Sequence, residues 1–529
     1  MPDHAVRLTK HIEFGDIAAA FGLSLPIELG HVSQTTFTRY SSFRGMIHYG
    51  GNMPRFSTVF QLSNEQAALD FVDIELSTDT RLYLDPYAIE IREDEWSSIC
   101  GDHIRSFFND VLSALRNDDQ AHAYHLLSHL REPNETYLGQ SSGTPNGRGV
   151  GDFKARQFVH ALRKSRAFET GLLADISEAE LFIEGIGPDT ISDLTTNILR
   201  GVLAEYTAQQ CELHSIPTRA VTSIGPAWNA ARLRWEARTF QLPTHKRRPI
   251  LLVPKIAVRH RMSLDSQEFY NHHMIEFLRQ EYLQSGSGLV HTFKNGRKDV
   301  FKSSVKERHP FVKDDLADFV RRHPEILDEY KQLKGAQGAL APEDFEKFFD
   351  ERAFAQVLIE RLAAIPFGNE HASAYHSLSV GICTFLFYPS LISPIREHEI
   401  HQGRKRIDIK FTNAATDGFF HSMLASDQAR ALNVFVECKN YTKEMNNPEL
   451  DQLAGRFGHQ RGRFGMLLCR QMDNRQRIVE RCRDTASDNR GLMLVFEDAD
   501  LIQMLTFVVQ GRRRAIDRLL RERLSEITD

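Results

Sequence analysis

Four short apolar runs near the carboxyl end constrain the fold more than any other feature of the chain. These runs are RIDIKF (406–411), NVFVEC (433–438), FGMLLC (464–469) and LMLVFE (492–497). Each is typical of a buried strand, and the last three are followed by helical patterns at 448–459, 473–486 and 498–509. Strands that alternate with helices favour a sheet covered on both faces. We therefore predict an α/β fold with a mixed carboxyl-terminal sheet flanked by helices, preceded by a mixed α+β region.

The length of the chain, 529 residues, requires more than one hydrophobic core. The clearest linker is GAQGALAP (335–342), where the last proline suits the first turn of a helix. We predict an amino-terminal recognition or regulatory region (1–240), a basic segment with a helical connector (241–340) and a carboxyl-terminal domain (341–529). The alternation in 70–86 predicts two strands around a turn, and RPILLVPKIAV (248–258) predicts a further strand.

Charge is distributed unevenly along a chain whose net charge is −5. Residues 246–308 carry thirteen Lys or Arg against six Asp or Glu, whereas residues 51–100 carry three against ten. The basic segment interleaves its cations with Phe293 and Phe301, a composition that suits contact with nucleic acid. The alternative is that it pairs with the acidic segment and holds the chain autoinhibited. The sequence leaves both roles open.

Cysteine usage and hydropathy indicate the compartment. Six cysteines form no CxxC pair, as expected of free thiols in a reducing cytosol. The amino terminus lacks the apolar core of a signal peptide. The most apolar segment, 377–395, is interrupted by Pro389 and Pro394, so we predict a buried helix end followed by a loop. These features predict a soluble, cytoplasmic protein without a membrane partner.

Charged residues end the buried strand pattern at VFVECKNY (434–441). Because side chains alternate along a strand, Glu437 and Lys439 share one face and Cys438 takes the other. In the run before it, apolar residues alternate with polar ones, which puts Asp408 on a polar face. If the two strands are neighbours, two carboxylates and one ammonium meet at one end of the sheet.

Such a grouping has a chemical use. Two carboxylates suit Mg²⁺ or Mn²⁺, which prefer oxygen ligands. The metal lowers the pKa of a bound water and neutralises charge on a scissile phosphate, and Lys439 would orient or deprotonate the attacking water or stabilise the developing charge. The competing interpretation of an E-x-K pattern is an ordinary salt bridge at a strand end.

Asp408, Glu437, Lys439 and the helical pattern that follows resemble the PD-(D/E)xK nuclease superfamily, which has the restriction-endonuclease-like fold. The resemblance covers roughly 345–510, and RID (406–408) lacks the proline of the superfamily name. It implies that Asp408 and Glu437 are metal ligands, joined by the main-chain carbonyl of Cys438, and that Lys439 is the catalytic lysine.

The same resemblance suggests secondary site residues. Gln452, on the helix after the strand, and Glu370, before the preceding helix, are added as catalytic candidates. For the basic cluster at 404–406 the alternative is a solvated surface. The residues predicted to contact nucleic acid are Arg404, Lys405, Arg406 and Arg456.

These features and the resemblance together predict a magnesium-dependent endonuclease that hydrolyses DNA. By analogy with the superfamily, the resemblance implies a setting in prokaryotic restriction or anti-phage defence. RNA is the alternative substrate, a homodimer would allow both strands to be cut, and other proteins of a defence system are expected partners. Two further functions stay open. One is a catalytically inactive nucleic-acid-binding or assembly subunit, and the other is a DNA-repair nuclease.

Overall fold

The computed structural model describes residues 54–139, 151–222, 224–396, 409–440 and 447–528, without the side chains of 151–154 and 447–449. Two hydrophobic clusters dominate this part of the chain. One is built from residues between Phe56 and Tyr330 and also takes in Ile392. The other is built mainly from residues between Phe354 and Ile527. All of these residues belong to one compact unit.

Helices predominate among the described residues before residue 340. The α-helices there are Phe56–Val59, Pro86–Glu90, Glu95–Arg116, Gln120–Ser128, Gly151–Lys164, Arg166–Glu169, Ala179–Phe182, Pro188–Leu213, Ser266–Phe269, Ile275–Gln284, Lys302–Arg308, Lys313–Arg322 and Pro324–Gly335. A π-helical turn, Tyr270–Met274, joins two of them. Turns of 3₁₀ helix lie at Gln66–Ala68, Ile176–Glu178 and Lys255–Ala257.

The strands of this region are short and pair in twos. They are β1 (Tyr83–Leu84), β2 (Arg219–Val221), β3 (Ala227–Asn229), β4 (Arg234–Glu236), β5 (Phe240–Leu242), β6 (Thr244–His245), β7 (Arg248–Pro249), β8 (Val258–Arg259), β9 (Val290–Thr292) and β10 (Lys298–Val300). The pairs are β1 with β8, β2 with β5, β3 with β4, β6 with β7 and β9 with β10. The last pair turns at Asn295-Gly296, and Gly296 supplies a φ of +81°.

The predicted hairpin at 70–86 is wrong, and so is the continuous strand at 248–258. The two extended segments pair with each other instead. Val72 N–H donates to Val253 O (3.0 Å) and Asp85 N–H to Ala257 O (3.0 Å). The only two-residue ladder between the segments is β1 with β8, which is antiparallel. Several backbone groups of the two segments are therefore satisfied by partners distant in sequence.

The predicted mixed sheet is present after residue 390. Its strands are β11 (Leu391–Ile395), β12 (Ile409–Asn413), β13 (Asn433–Lys439), β14 (Phe464–Cys469) and β15 (Leu492–Glu497), in that spatial order. β12 is antiparallel to both of its neighbours, whereas β13, β14 and β15 are parallel. β14 is buried along its whole length, as expected for a strand between two parallel neighbours.

Helices flank this sheet. They are Pro342–Phe345, Glu351–Ala364, Ala372–Phe387, Gly418–Ala425, Asn447–Ala454, Arg475–Ser487, Asp498–Val509 and Ala515–Thr528, with a 3₁₀ turn at Asn369–His371. Pro342 occupies the first turn of its helix, as predicted. The helices at 418–425 and 515–528 were not predicted. The α/β class and the flanking helices are confirmed.

The expected loop after helix Ala372–Phe387 is instead the edge strand β11, despite its prolines. An edge position tolerates proline because only one side of the strand carries a ladder. The amino-terminal region supports the other side: Ser393 N–H donates to Asp70 Oδ1 (3.0 Å), and Gln210 Nε2 donates to Pro394 O (2.9 Å). In the part of the chain that the structure describes, no helix is both long and apolar enough to cross a membrane.

Candidate active site at the end of the central strand

Glu437 lies near the carboxyl end of β13, the middle strand of the sheet. The three residues before it, Val434 to Val436, are buried in the carboxyl-terminal core. Glu437 itself is only 1% exposed. A buried carboxylate is costly unless cations or hydrogen-bond donors surround it. This strand therefore ends in a group that requires compensation.

Two cations compensate the carboxylate. Lys439 Nζ donates to Glu437 Oε1 at 2.6 Å, which confirms that the two side chains share a face. Arg456 Nη2 lies 3.6 Å from Glu437 Oε2. The Lys439 side chain is 18% exposed and that of Arg456 is 4% exposed. Lys439 is thus the member of the cluster that solvent or a substrate reaches most easily.

Arg456 was predicted to contact nucleic acid, and the structure places it in the interior beside Glu437. It follows helix Asn447–Ala454, which packs against β14 and β15. Leu450 and Leu453 anchor this helix in the core, and Leu453 lies directly over Gly465. Gln452, on the same helix, is half-buried. The geometry gives Arg456 an electrostatic role at the carboxylate, and contact with nucleic acid stays a prediction.

Asp408 and the basic residues Arg404, Lys405 and Arg406 lie outside the described residues. The antiparallel register of β12 and β13 pairs Ile409 with Val436. Asp408 immediately precedes Ile409 in the sequence, and Glu437 immediately follows Val436. The two strands are therefore neighbours, which was the condition for the predicted grouping, and the position of Asp408 stays a prediction.

Glu370 belongs to a segment that is fastened to the same end of β13. Asn440, the residue after the strand, donates from Nδ2 to Pro366 O (3.2 Å) and Gly368 O (2.8 Å). Gly368 N–H in turn donates to Asn440 O at 2.9 Å. Glu370 follows in an exposed 3₁₀ turn. The structure thus brings the Glu370 segment to the strand end that carries Glu437 and Lys439.

A second polar cluster at this sheet edge was not predicted. The parallel register aligns Lys439 with Cys469, and Cys469 with Glu497. The residues that directly follow the three strands therefore lie at the same edge of the sheet. They are Asn440, Arg470 and Asp498. The sequence signal that could have predicted this cluster is the polar residue that directly follows each of the three strands.

Arg470 is the centre of this second cluster. Its Nε donates to Asp498 Oδ2 (2.6 Å), and its Nη1 donates to Asn440 Oδ1 (2.9 Å) and Ile365 O (2.8 Å). Tyr375 OH also donates to Asp498, at 3.1 Å. Burial raises the pKa of Asp498 to about 6, although Arg470 opposes this shift. The cluster ties three strand ends to the segment before helix Ala372–Phe387.

The described residues do not form a complete metal site by themselves. Within them, no group of three or more His, Cys, Asp or Glu could hold a metal ion. The candidate donors are the Glu437 carboxylate and the Cys438 carbonyl, and a further carboxylate has to come from Asp408 or Glu370. This donor set is all oxygen, which fits Mg²⁺ or Mn²⁺ and not a metal that prefers sulfur or imidazole.

Comparison with known proteins gives a match to part of the chain. Residues 61–265 match the profile of a domain of unknown function, DUF8370. The matched residues lie within the amino-terminal region and end before the sheet that carries Glu437. No curated protein and no solved structure matches the chain.

Proposed function

We propose that the chain is a metal-dependent endonuclease that hydrolyses phosphodiester bonds of DNA. The observation that carries this proposal is the pair of Glu437 and Lys439, a buried carboxylate and a partly exposed ammonium 2.6 Å apart at the end of a central strand. The pair lies where the carboxyl ends of parallel strands meet, an edge at which α/β sheets commonly bind ligands. Restriction or anti-phage defence is the setting that analogy with the resembled superfamily suggests, and DNA repair is the alternative.

Each residue has a role that its environment supports. Glu437, with Asp408 and the Cys438 carbonyl, would hold the divalent cation, which when bound supplies Lewis-acid chemistry and charge neutralisation at the phosphate. Lys439 is exposed enough to reach a phosphate oxygen or the attacking water, and its ammonium offsets negative charge that develops in the transition state. Arg456 keeps the local charge positive and, being nearly inaccessible, acts through Glu437.

One observation favours a second candidate, a non-catalytic subunit. Lys439 and Arg456 already compensate Glu437, so a purely structural ion cluster accounts for the same contacts. A catalytic site and a structural cluster differ in what happens when Lys439 is removed. Loss of the partly exposed lysine abolishes hydrolysis in the first case and changes only stability in the second.

The test is cleavage of supercoiled plasmid by the full chain in Mg²⁺, Mn²⁺ or EDTA. The variants are Glu437→Gln, Lys439→Ala and Asp408→Asn, with the exposed Lys347→Ala as a matched control. We expect metal-dependent nicking by wild type and the control, and its loss in the other three. Metal-dependent nicking that survives in both Glu437→Gln and Lys439→Ala would refute the site. An RNA substrate assayed in parallel identifies the preferred nucleic acid.

A further inference from the structure

The basic segment 246–308 divides into a buried part and an exposed part. Lys255 is 1% exposed, and Asp70, which is also buried, is its acidic neighbour. Arg259 is half-buried, and the carboxylate of Asp85 acts on its charge. This part of the segment complements the acidic segment 51–100, which was one of the two predicted roles. The other part, residues 290–302, faces solvent and is called the basic hairpin below.

The basic hairpin carries three aromatic rings on its surface. His291 and Phe293 have ring centroids 4.9 Å apart, and those of His291 and Phe301 are 5.4 Å apart. Phe293 is 36% exposed and Phe301 is 47% exposed. Large apolar rings clustered in solvent are unusual for a surface without a ligand. The cluster therefore offers ring faces on which flat groups can stack.

The same hairpin carries four cations, Lys294, Arg297, Lys298 and Lys302. Arg297 is paired with Asp299 at 3.1 Å, and Lys302 is paired with Glu276. Lys294 and Lys298 are exposed and form no ion pair with any described residue. Ammonium groups that lack an internal counter-charge are available to phosphates. Positive charge and exposed rings thus occupy one two-stranded turn.

We propose that the basic hairpin binds unpaired nucleic acid, with bases stacked on Phe293 and Phe301 and phosphates beside Lys294 and Lys298. Aromatic platforms flanked by cations are the usual means of binding single strands without reading sequence. In a duplex the base faces are already stacked on each other, so the rings favour single strands over duplex. The hairpin lies outside both the proposed active site and the matched residues 61–265, and its binding does not depend on hydrolysis.

The experiment measures binding of the full chain to fluorescein-labelled oligothymidylate, oligouridylate and a DNA duplex by fluorescence anisotropy in EDTA. The variants are Phe293→Ala/Phe301→Ala and Lys294→Gln/Lys298→Gln. Phe348→Ala is the matched control, because Phe348 is 79% exposed elsewhere and also lies beside a lysine. All substituted side chains are on the surface, and thermal unfolding checks that each variant is folded.

We expect the aromatic variant to bind both single strands roughly 5- to 100-fold more weakly, the range for loss of stacking on one base or more. For the lysine variant, a plot of the logarithm of the association constant against the logarithm of the salt concentration should have a slope that is smaller in magnitude by about 1.4. The reason is that each neutralised phosphate of a single strand contributes about 0.7 to this slope. The control should match wild type. Unchanged affinity in the aromatic variant, or tighter binding of duplex than of single strands, overturns the proposal. The binding assay contains EDTA and does not measure hydrolysis. A negative binding result therefore does not bear on plasmid cleavage, and a negative cleavage result does not bear on binding by the hairpin.

Discussion

Replacing Glu437 by glutamine separates a metal ligand from a structural ion pair. The substitution keeps the shape of the side chain and removes the charge that Lys439 contacts at 2.6 Å and Arg456 at 3.6 Å. At an effective dielectric constant of about 20, these two attractions amount to roughly 6 and 5 kcal/mol. Desolvation of the carboxylate offsets several kcal/mol of that sum. The net loss on breaking such a buried cluster is about 3–5 kcal/mol, and we expect the lower end because Lys439 can turn to solvent.

The assay is urea unfolding of wild type and Glu437→Gln, each in EDTA and in increasing Mg²⁺. In EDTA the variant should be less stable by about 3 kcal/mol. Added Mg²⁺ should stabilise wild type, by about 2.7 kcal/mol at one hundred times the dissociation constant, and should leave the variant unchanged. The exposed Glu480→Gln is the matched control and should behave as wild type in both buffers.

Two results would contradict this reasoning in different ways. Equal stabilisation of wild type and Glu437→Gln by Mg²⁺ would show that Glu437 is not a metal ligand, however much stability the variant loses in EDTA. Equal stability of the two proteins in EDTA would show that the 2.6 Å pair contributes nothing to folding. The metal readout is a free energy of unfolding, so it does not depend on having the right nucleic-acid substrate.

Two further predictions concern the elements that hold the site. Gly465→Ala should lower the free energy of unfolding by about 1–3 kcal/mol and reduce plasmid cleavage, because the new methyl would lie 2.9 Å from Leu453 Cδ1 and displace the helix that carries Gln452. Unchanged urea midpoint and activity would argue against that packing. The raised pKa of Asp498, about 6, means that the folded state binds more protons than the unfolded state between about pH 4 and pH 6, so the contribution of Asp498 to stability falls as pH rises through that window. Asp498→Asn removes this titration, and the stability difference between wild type and variant should therefore fall by roughly 2–3 kcal/mol from pH 4 to pH 7, as measured by urea unfolding. A pH-independent difference would refute the assignment.

Local pattern determined the strands β13, β14 and β15 almost to the residue. Their apolar runs are continuous because parallel neighbours and helices bury both faces, a signal that needs no knowledge of partners. The alternation along β13 likewise determined that Glu437 and Lys439 share a face. The period of two is a property of the extended backbone itself.

Tertiary structure alone decided the partners of segments whose pattern was ambiguous. The extended segments at 70–86 and 248–258 suggested local strands, yet several of their backbone hydrogen bonds join the two segments across more than 150 residues of sequence. The proline-containing β11 forms because Asp70 and Gln210 supply hydrogen bonds from the amino-terminal region.

The same division holds for the site. Sequence determined that a carboxylate and an ammonium end the central strand, because both residues lie on one element. That Arg456 turns inward to Glu437, and that Arg470 joins Asp498 to Asn440, depended on the register of parallel strands and on how a helix packs over Gly465. Electrostatic partners drawn from different elements carry no local signature, since only the folded chain brings their charges within a few ångströms.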